Sequence, residues 1–148
     1  PTIYEGKNTN ALRFNLYSKE LFNLITQRFK ISAGRKSRTV LIPQEILDSK
    51  PNIIKACIRG LYDAEGCVFF DKRKLYKKPY VRIELHMNNL SILKQVSKIL
   101  SLFEIDNTLG SFKDNLRVVI YGEEKVKKFI REIGFSNPKH LNKLKKLV

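Results

Sequence analysis

The sequence predicts an α+β fold built on antiparallel strands, and three observations carry that prediction. Short segments alternate apolar and polar residues, as in residues 11–17, 80–87 and 115–121. That period marks strands with one face on a core. Longer segments repeat apolar residues at helical spacing, as in Ile92, Leu93, Val96, Ile99 and Leu100. Finally, Leu12-Arg13-Phe14-Asn15-Leu16-Tyr17-Ser18-Lys19-Glu20 is similar to Leu116-Arg117-Val118-Val119-Ile120-Tyr121-Gly122-Glu123-Glu124 at a constant offset of 104 residues. Strand, small cap residue and following helix align, which marks an internal repeat. Residues 53–148 then read as one complete unit, helix-ββ-helix-ββ-helix-helix. Residues 1–52 read as the second half of a preceding unit.

Taken in order, residues 1–10 are expected to form a short strand and a polar turn. In residues 11–17, Leu12, Phe14 and Leu16 point one way and Arg13, Asn15 and Tyr17 the other. Ser18 is a good N-cap for a helix over about 19–29, with Leu21, Phe22, Leu24 and Ile25 inward. Residues 30–40 form a basic loop, and Pro43 at the first helical position opens a short helix over 44–47. The segment Pro51 to Phe70 reads as an apolar helix running into an aromatic strand. Ile53, Ile54, Cys57, Ile58 and Leu61 make its expected buried stripe. A second strand over 80–87 puts Val81, Ile83, Leu85 and Met87 on one face and Arg82, Glu84 and His86 on the other. Asn88 or Asn89 caps a helix to about 103. Strands over 105–112 and 115–121 follow, joined by a turn at 113–115. Helices over 123–133 and from Pro138 onward, the latter capped by Ser136 or Asn137, complete the chain.

The chain has 148 residues, enough for one compact domain, and 43% of them are hydrophobic, enough to bury a core. Its net charge of +15 implies a polyanionic partner, most simply nucleic acid. Of the Lys and Arg residues, 9 lie in residues 1–52 and 20 in residues 53–148, so the charge describes a broad face and not a tail. Cys57 and Cys67 form no CxxC pair and lie far from His86 and His140 in sequence, so no zinc site is expected. Both cysteines suit a reducing compartment. No apolar run of membrane-spanning length and no signal peptide is visible, which leads to the expectation of an intracellular protein without a membrane partner. The chain begins Pro1-Thr2, so an upstream segment is expected to have been removed.

One residue breaks a local rule. Glu65 sits in the last turn of the 51–65 helix, against the negative end of the helix dipole, at a cost of a few tenths to about 1 kcal/mol. Such a violation without a visible gain marks a candidate functional residue. Gly66 after it suits a left-handed helix end. Ala56, Gly60 and Ala64 recur every four residues, a small-residue stripe along which a second helix can approach backbone to backbone.

Residues Ile58-Arg59-Gly60-Leu61-Tyr62-Asp63-Ala64-Glu65-Gly66 resemble the signature nonapeptide of the LAGLIDADG homing endonucleases. They depart from it at Arg59 and carry Glu for the final Asp, an exchange that keeps the carboxylate. The segments IPQEIL before this helix and IGFSNPKHLNKL after the last strand resemble the archaeal intron and intein branch. No splicing segment is visible. The resemblance implies an α-ββ-α-ββ-α repeat, with two motif helices packed at the boundary of a saddle-shaped pair of antiparallel sheets. The second helix would come from a missing N-terminal half or from a homodimer partner. It implies site-specific double-strand cleavage of DNA, with Mg²⁺ or another divalent cation held by the paired motif carboxylates. Glu65 would be the metal ligand here and Asp63 mainly structural. Lys139, with Lys36 or Arg38 as its counterpart upstream, would supply a basic residue near each active centre.

Strand faces turned from the core supply candidates for DNA contact: Arg13, Asn15, Tyr17, Asp71, Arg73, Arg82, Glu84, His86, Lys113 and Arg117. Arg suits guanine, Asn adenine, and Glu the cytosine amino group. Lys72, Lys74, Lys77 and Lys78 suit phosphates, which position a protein without specifying sequence. Two other readings compete. One is a cleavage-inactive relative on the same scaffold, a DNA-binding regulator or an RNA-binding intron maturase. The other is a basic RNA-binding structural protein, which would not need the small-residue stripe leading to a carboxylate.

Overall fold

The computed structural model describes residues 2–5, 12–35, 37–71, 80–112 and 115–145. The chain forms two compact units, Pro1–Ala33 and Gly34–Val148.

In the first unit, β1 (Thr2–Glu5) pairs antiparallel with β2 (Leu12–Asn15), with Tyr4 opposite Arg13. Helix α1 (Lys19–Asn23) starts as expected, since the Leu21 N–H donates to Ser18 Oγ at 3.1 Å. It continues as a wider π-turn over Leu24–Arg28. The expected inward set is realised only in part: Leu21 and Ile25 are half-buried, but Phe22 and Leu24 are 54% and 39% exposed, and Leu16, expected inward after β2, is 49% exposed. Two short strands and one helix cannot close a core of their own.

The second unit carries a four-stranded sheet in the order β3-β4-β6-β5, antiparallel throughout. Its strands are β3 (Gly66–Asp71), β4 (Tyr80–His86), β5 (Thr108–Phe112) and β6 (Asn115–Tyr121). Val68, Val81, Ile83, Leu85, Val118 and Ile120 project from one face. They form a core with Ile58 and Tyr62 of α3 (Pro51–Glu65), the apolar side of α4 (Leu90–Leu102), Val126 and Phe129 of α5 (Glu123–Glu132), and Leu144 of α6 (Pro138–Leu144). The α+β class and the antiparallel sheet are thus as the sequence predicts. The five inward positions read for α4 are all buried. The cap of α4 is Asn89, whose Oδ1 accepts the Ser91 and Ile92 N–H groups at 3.1 and 3.3 Å.

Four local readings need correction. Short helix α2 (Gln44–Leu47) has Pro43 as its N-cap and not at its first turn position. Residues 105–107 are not strand. Asn107 is tied to α4 instead, accepting from Ser97 Oγ at 2.6 Å. In α3 Ile58 is buried and Ile54, Cys57 and Leu61 pack half-buried against the core as expected, but the arc is shifted: Tyr62 is fully buried and Ile53 is 44% exposed. The helix turns that face inward because its neighbours grip it along its length. Lys55 pairs with Glu132 at 2.8 Å, the Arg59 Nε–H donates to the Ile133 carbonyl at 2.7 Å, and the Tyr62 ring lies 4.8 Å from that of Phe129. Finally, Gly66 is not left-handed. Its φ of −80° and ψ of 158° are extended, so helix passes into strand with no loop between them. Glycine is required there by space, because a Cβ would stand 2.3 Å from the Tyr62 carbonyl oxygen.

Candidate functional site

Glu65, the last residue of α3, is exposed at this helix-to-strand joint. Gly66 pairs with Leu85, which brings Glu65 to the level of His86 at the end of β4. Both line a cleft of about 360 Å³ with Ser37, Met87, Asn88, Asn115 and Leu116. A neighbouring cleft shares Ser37 and Asn88 and adds Arg35, Arg38 and Thr39. The loop bearing these residues is pinned downstream. The Ile42 N–H donates to Gln95 Oε1 at 2.9 Å, and Asn89 Nδ2 donates to the Val40 carbonyl at 2.6 Å.

The stripe of Ala56, Gly60 and Ala64 is exposed along α3, and a Cβ at Gly60 would meet nothing within 4 Å. The opposite side of the same helix end is locked. Asp63 accepts the Ser136 N–H at 3.0 and 3.1 Å through its two oxygens and the Asn137 N–H at 3.0 Å. Asn137 Nδ2 donates back to the Asp63 carbonyl at 3.1 Å, and its Oδ1 accepts the Lys139 N–H at 3.0 Å. Asp63 thus joins the motif helix to the start of α6. Behind it, burial lowers the pKa of the His140 imidazole, and the ring lies 4.7 Å from that of Phe135.

The sheet face turned away from the core gathers several of the sequence candidates. Arg82, Glu84 and His86 of β4, Arg117 of β6 and Asp71 of β3 lie together there. Glu84 is not presented to solvent as its alternation suggests. It is 2% exposed, with Arg82 Nε at 2.6 Å, His86 Nε2 at 2.6 Å and Arg117 Nη1 at 3.2 Å. Its carboxylate is occupied by three basic side chains, so it is not offered to a cytosine. Asp71 Oδ2 lies 3.6 Å from Arg82 Nη1, and the Arg82 guanidinium sits 5.0 Å from the centre of the Phe69 ring.

The remaining candidates are placed as follows. Arg38 lines the second cleft, beside the one holding Glu65. Lys139 is exposed on the first turn of α6 and is not among the residues lining the Glu65 cleft. Arg13 and Asn15 lie in β2 of the first unit, and Tyr17 follows it, 84% exposed. Lys36, Arg73, Lys77, Lys78 and Lys113, with Lys72 and Lys74, lie outside the described residues. Sequence reasoning missed Arg35, Ser37, Asn88 and Asn115 as cleft residues. The basic loop was visible, but which of its side chains face Glu65 depends on tertiary ties to α4.

Among the described residues, no three His, Cys, Asp or Glu side chains cluster as a metal site. The cleft offers one carboxylate, a hydroxyl, two amides, the His86 imidazole and the Met87 thioether. Of these, the lone carboxylate with the hydroxyl and amide oxygens fits a hydrated Mg²⁺ ion, which takes one or two carboxylates and completes its shell with water and substrate phosphate. Cys57 and Cys67 are half-buried free thiols, and burial raises the Cys57 pKa. No helix among the described residues is long and apolar enough to cross a membrane.

The chain is 29% identical, over an alignment of 143 residues, to the tRNA-splicing ligase RtcB of Methanopyrus kandleri. That alignment covers 89% of this chain but only 14% of the relative. The LAGLIDADG-like domain profile matches residues 52–134, more than half of the chain, from the second residue of α3 to just past α5. The chain therefore belongs to the LAGLIDADG-like domain family, whose members are generally nucleases of the homing-endonuclease type.

Proposed function

We propose that this chain is part of a site-specific double-strand DNA endonuclease of the homing type, and that Glu65 is its metal-binding carboxylate. The observation that carries the reading is the end of α3: an exposed carboxylate in a largely polar cleft, on a helix whose small-residue stripe is also exposed. A second motif helix laid along Ala56, Gly60 and Ala64 would bring its own terminal carboxylate beside Glu65. Two adjacent carboxylates repel, and a shared divalent cation relieves that repulsion. The stripe would be covered by a preceding repeat, of which residues 1–52 are the second half, or by a second copy of the chain.

When bound, the cation would activate a water for attack on the phosphodiester and stabilise the leaving oxygen. The chain's own groups then do the rest. Glu65 holds the cation. Arg35 and Arg38 neutralise phosphate beside it. Ser37, Asn88 and Asn115 offer hydrogen bonds to water or backbone oxygens. Lys139 is the further basic group on the motif side. The sheet's open face reads the duplex, and the +15 charge draws it in. The 14% coverage of the ligase leaves its named activity out of this reading. Free thiols suit a reducing cellular compartment.

The test is incubation of the chain with a randomised duplex library and Mg²⁺, followed by sequencing of cleaved ends. Glu65→Gln is expected to abolish cleavage while leaving duplex binding within a few-fold. Cleavage by Glu65→Gln at the unaltered rate would show the assignment to be wrong. Binding without cleavage by a form of the protein that carries both motif helices would favour the regulator reading.

A further inference from the structure

We propose that Glu84 is a specificity-determining positioning residue. Buried at the middle of the sheet's open face, it holds the Arg82 and Arg117 guanidiniums in fixed orientations for reading base edges. This rests on the DNA-binding reading above.

The cross-strand neighbours of Glu84 on this face are Cys67 and Val119. Val119 is 2% exposed and lies outside the main core cluster, so a small apolar patch floors the open face. An apolar residue at position 84 would complete that patch without desolvating a carboxylate, and replacing a buried ion pair this way is often neutral or stabilising. The ionic group therefore calls for a reason other than stability.

Its partners supply one. Arg82 is restrained from three directions, by a close charge contact of its Nε with Glu84 at 2.6 Å that is not aligned as a hydrogen bond, by Asp71 at 3.6 Å and by the Phe69 ring at 5.0 Å. Arg117 reaches the same carboxylate from the next strand, and His86, directly opposite Arg117 in the register, takes the same oxygen. The Arg82 and Arg117 side chains meet the Glu84 carboxylate and remain 27% and 21% exposed. A guanidinium fixed in this way loses little rotamer freedom on binding, and its planar fork suits guanine. Charge points the same way. In a chain of net charge +15, the described residues here set Arg82 and Arg117 against Asp71 and Glu84, close to balance. A balanced cluster attracts phosphate weakly, so what it contributes is discrimination and not general affinity. Glu84 would restrain two arginines that would otherwise bind any duplex.

The experiment takes a 30-base-pair duplex enriched from a random library by the unaltered chain, and a scrambled duplex of equal composition. Dissociation constants are measured across a salt series for Glu84→Gln, Arg82→Lys and Arg117→Lys. Glu84→Gln is expected to tighten binding to the scrambled duplex several-fold and to steepen the log–log salt slope by about one phosphate contact. Its ratio of enriched to scrambled affinity should fall on the order of tenfold. The lysine variants keep the charge but lose the fork, so they should lose discrimination with scrambled binding nearly unchanged. If circular dichroism shows Glu84→Gln unfolded, the lysine variants decide alone. Unchanged discrimination in the folded variants overturns the proposal and leaves DNA binding standing. Equal weakening on both duplexes reduces Glu84 to a structural ion pair and also overturns it. No enriched sequence at all overturns both the proposal and the site-specific reading beneath it.

Discussion

Asp63→Ala tests whether the motif helix and α6 are held as one piece. The carboxylate accepts two backbone N–H groups, those of Ser136 and Asn137, at 3.0 to 3.1 Å. Hydrogen bonds to a charged acceptor contribute roughly 1.5–3 kcal/mol each. Ser136 is exposed, so water replaces part of its loss, whereas Asn137 is half-buried and its N–H stays poorly hydrated. Together they give about 2–3 kcal/mol, at the upper end of a helix-cap deletion. For a unit of this size that is a fall of about 8–15 °C in Tm. Asp63→Asn keeps one acceptor oxygen and should lose about half as much. Urea unfolding followed by circular dichroism measures both. A loss below about 0.5 kcal/mol for Asp63→Ala, or no difference between Ala and Asn, would refute the coupling.

Three further outcomes follow from the same helix and its neighbours. Gly66→Ala forces a Cβ against the Tyr62 carbonyl, which is backbone and cannot swing aside, and should cost about 2 kcal/mol or more in a urea melt. Gly60→Ala meets open space and should stabilise the isolated chain by about 0.5–1 kcal/mol, while weakening cleavage if a second helix packs on the stripe. His140 gives a pH signature. Burial lowers its pKa, so below about 6.5 the unfolded chain takes up a proton that the folded chain refuses, and stability falls as pH drops. Unfolding free energies at pH 7.5 and 5.5 should differ more for the unaltered chain than for His140→Gln.

The sheet and α4 were legible because their patterns admit one solution. Val81, Ile83 and Leu85 alternate without exception, and the five apolar positions of α4 form a single arc. In α3 the apolar arc of Ile54, Cys57, Ile58 and Leu61 faces the core as its spacing implies, but periodicity does not say that the arc is turned toward Tyr62 and away from Ile53. The choice is made by Glu132, Ile133 and Phe129, which lie some seventy residues away. Gly66 suggests a left-handed helix end in the sequence, whereas its real requirement is space: a steric limit set by a carbonyl one turn back has no local sequence signal. Glu84 shows the same boundary. Alternation places it on the correct face, but its burial depends on arginines and a histidine that converge only when β4 and β6 pair. Of the candidate site, Glu65 and the stripe could be singled out in the sequence, whereas Arg35, Ser37, Asn88 and Asn115 line the two clefts only once the loop folds onto α4 and β4 pairs with β6.

The direct passage of α3 into β3 acts as a rigid coupling between two rulers of different pitch. On one side each residue turns about 100° around the helix axis, and on the other each residue flips from one sheet face to the other. A single residue inserted at this joint cannot be absorbed locally. It would swing Glu65 away from the cleft by that angle, or exchange the two faces of β3 so that Val68 left the core and Phe69 entered it. Substitutions elsewhere in the cleft can be graded in effect, but insertions and deletions between Tyr62 and Val68 should be all-or-none. Within that window, chain length matters as much as side-chain chemistry.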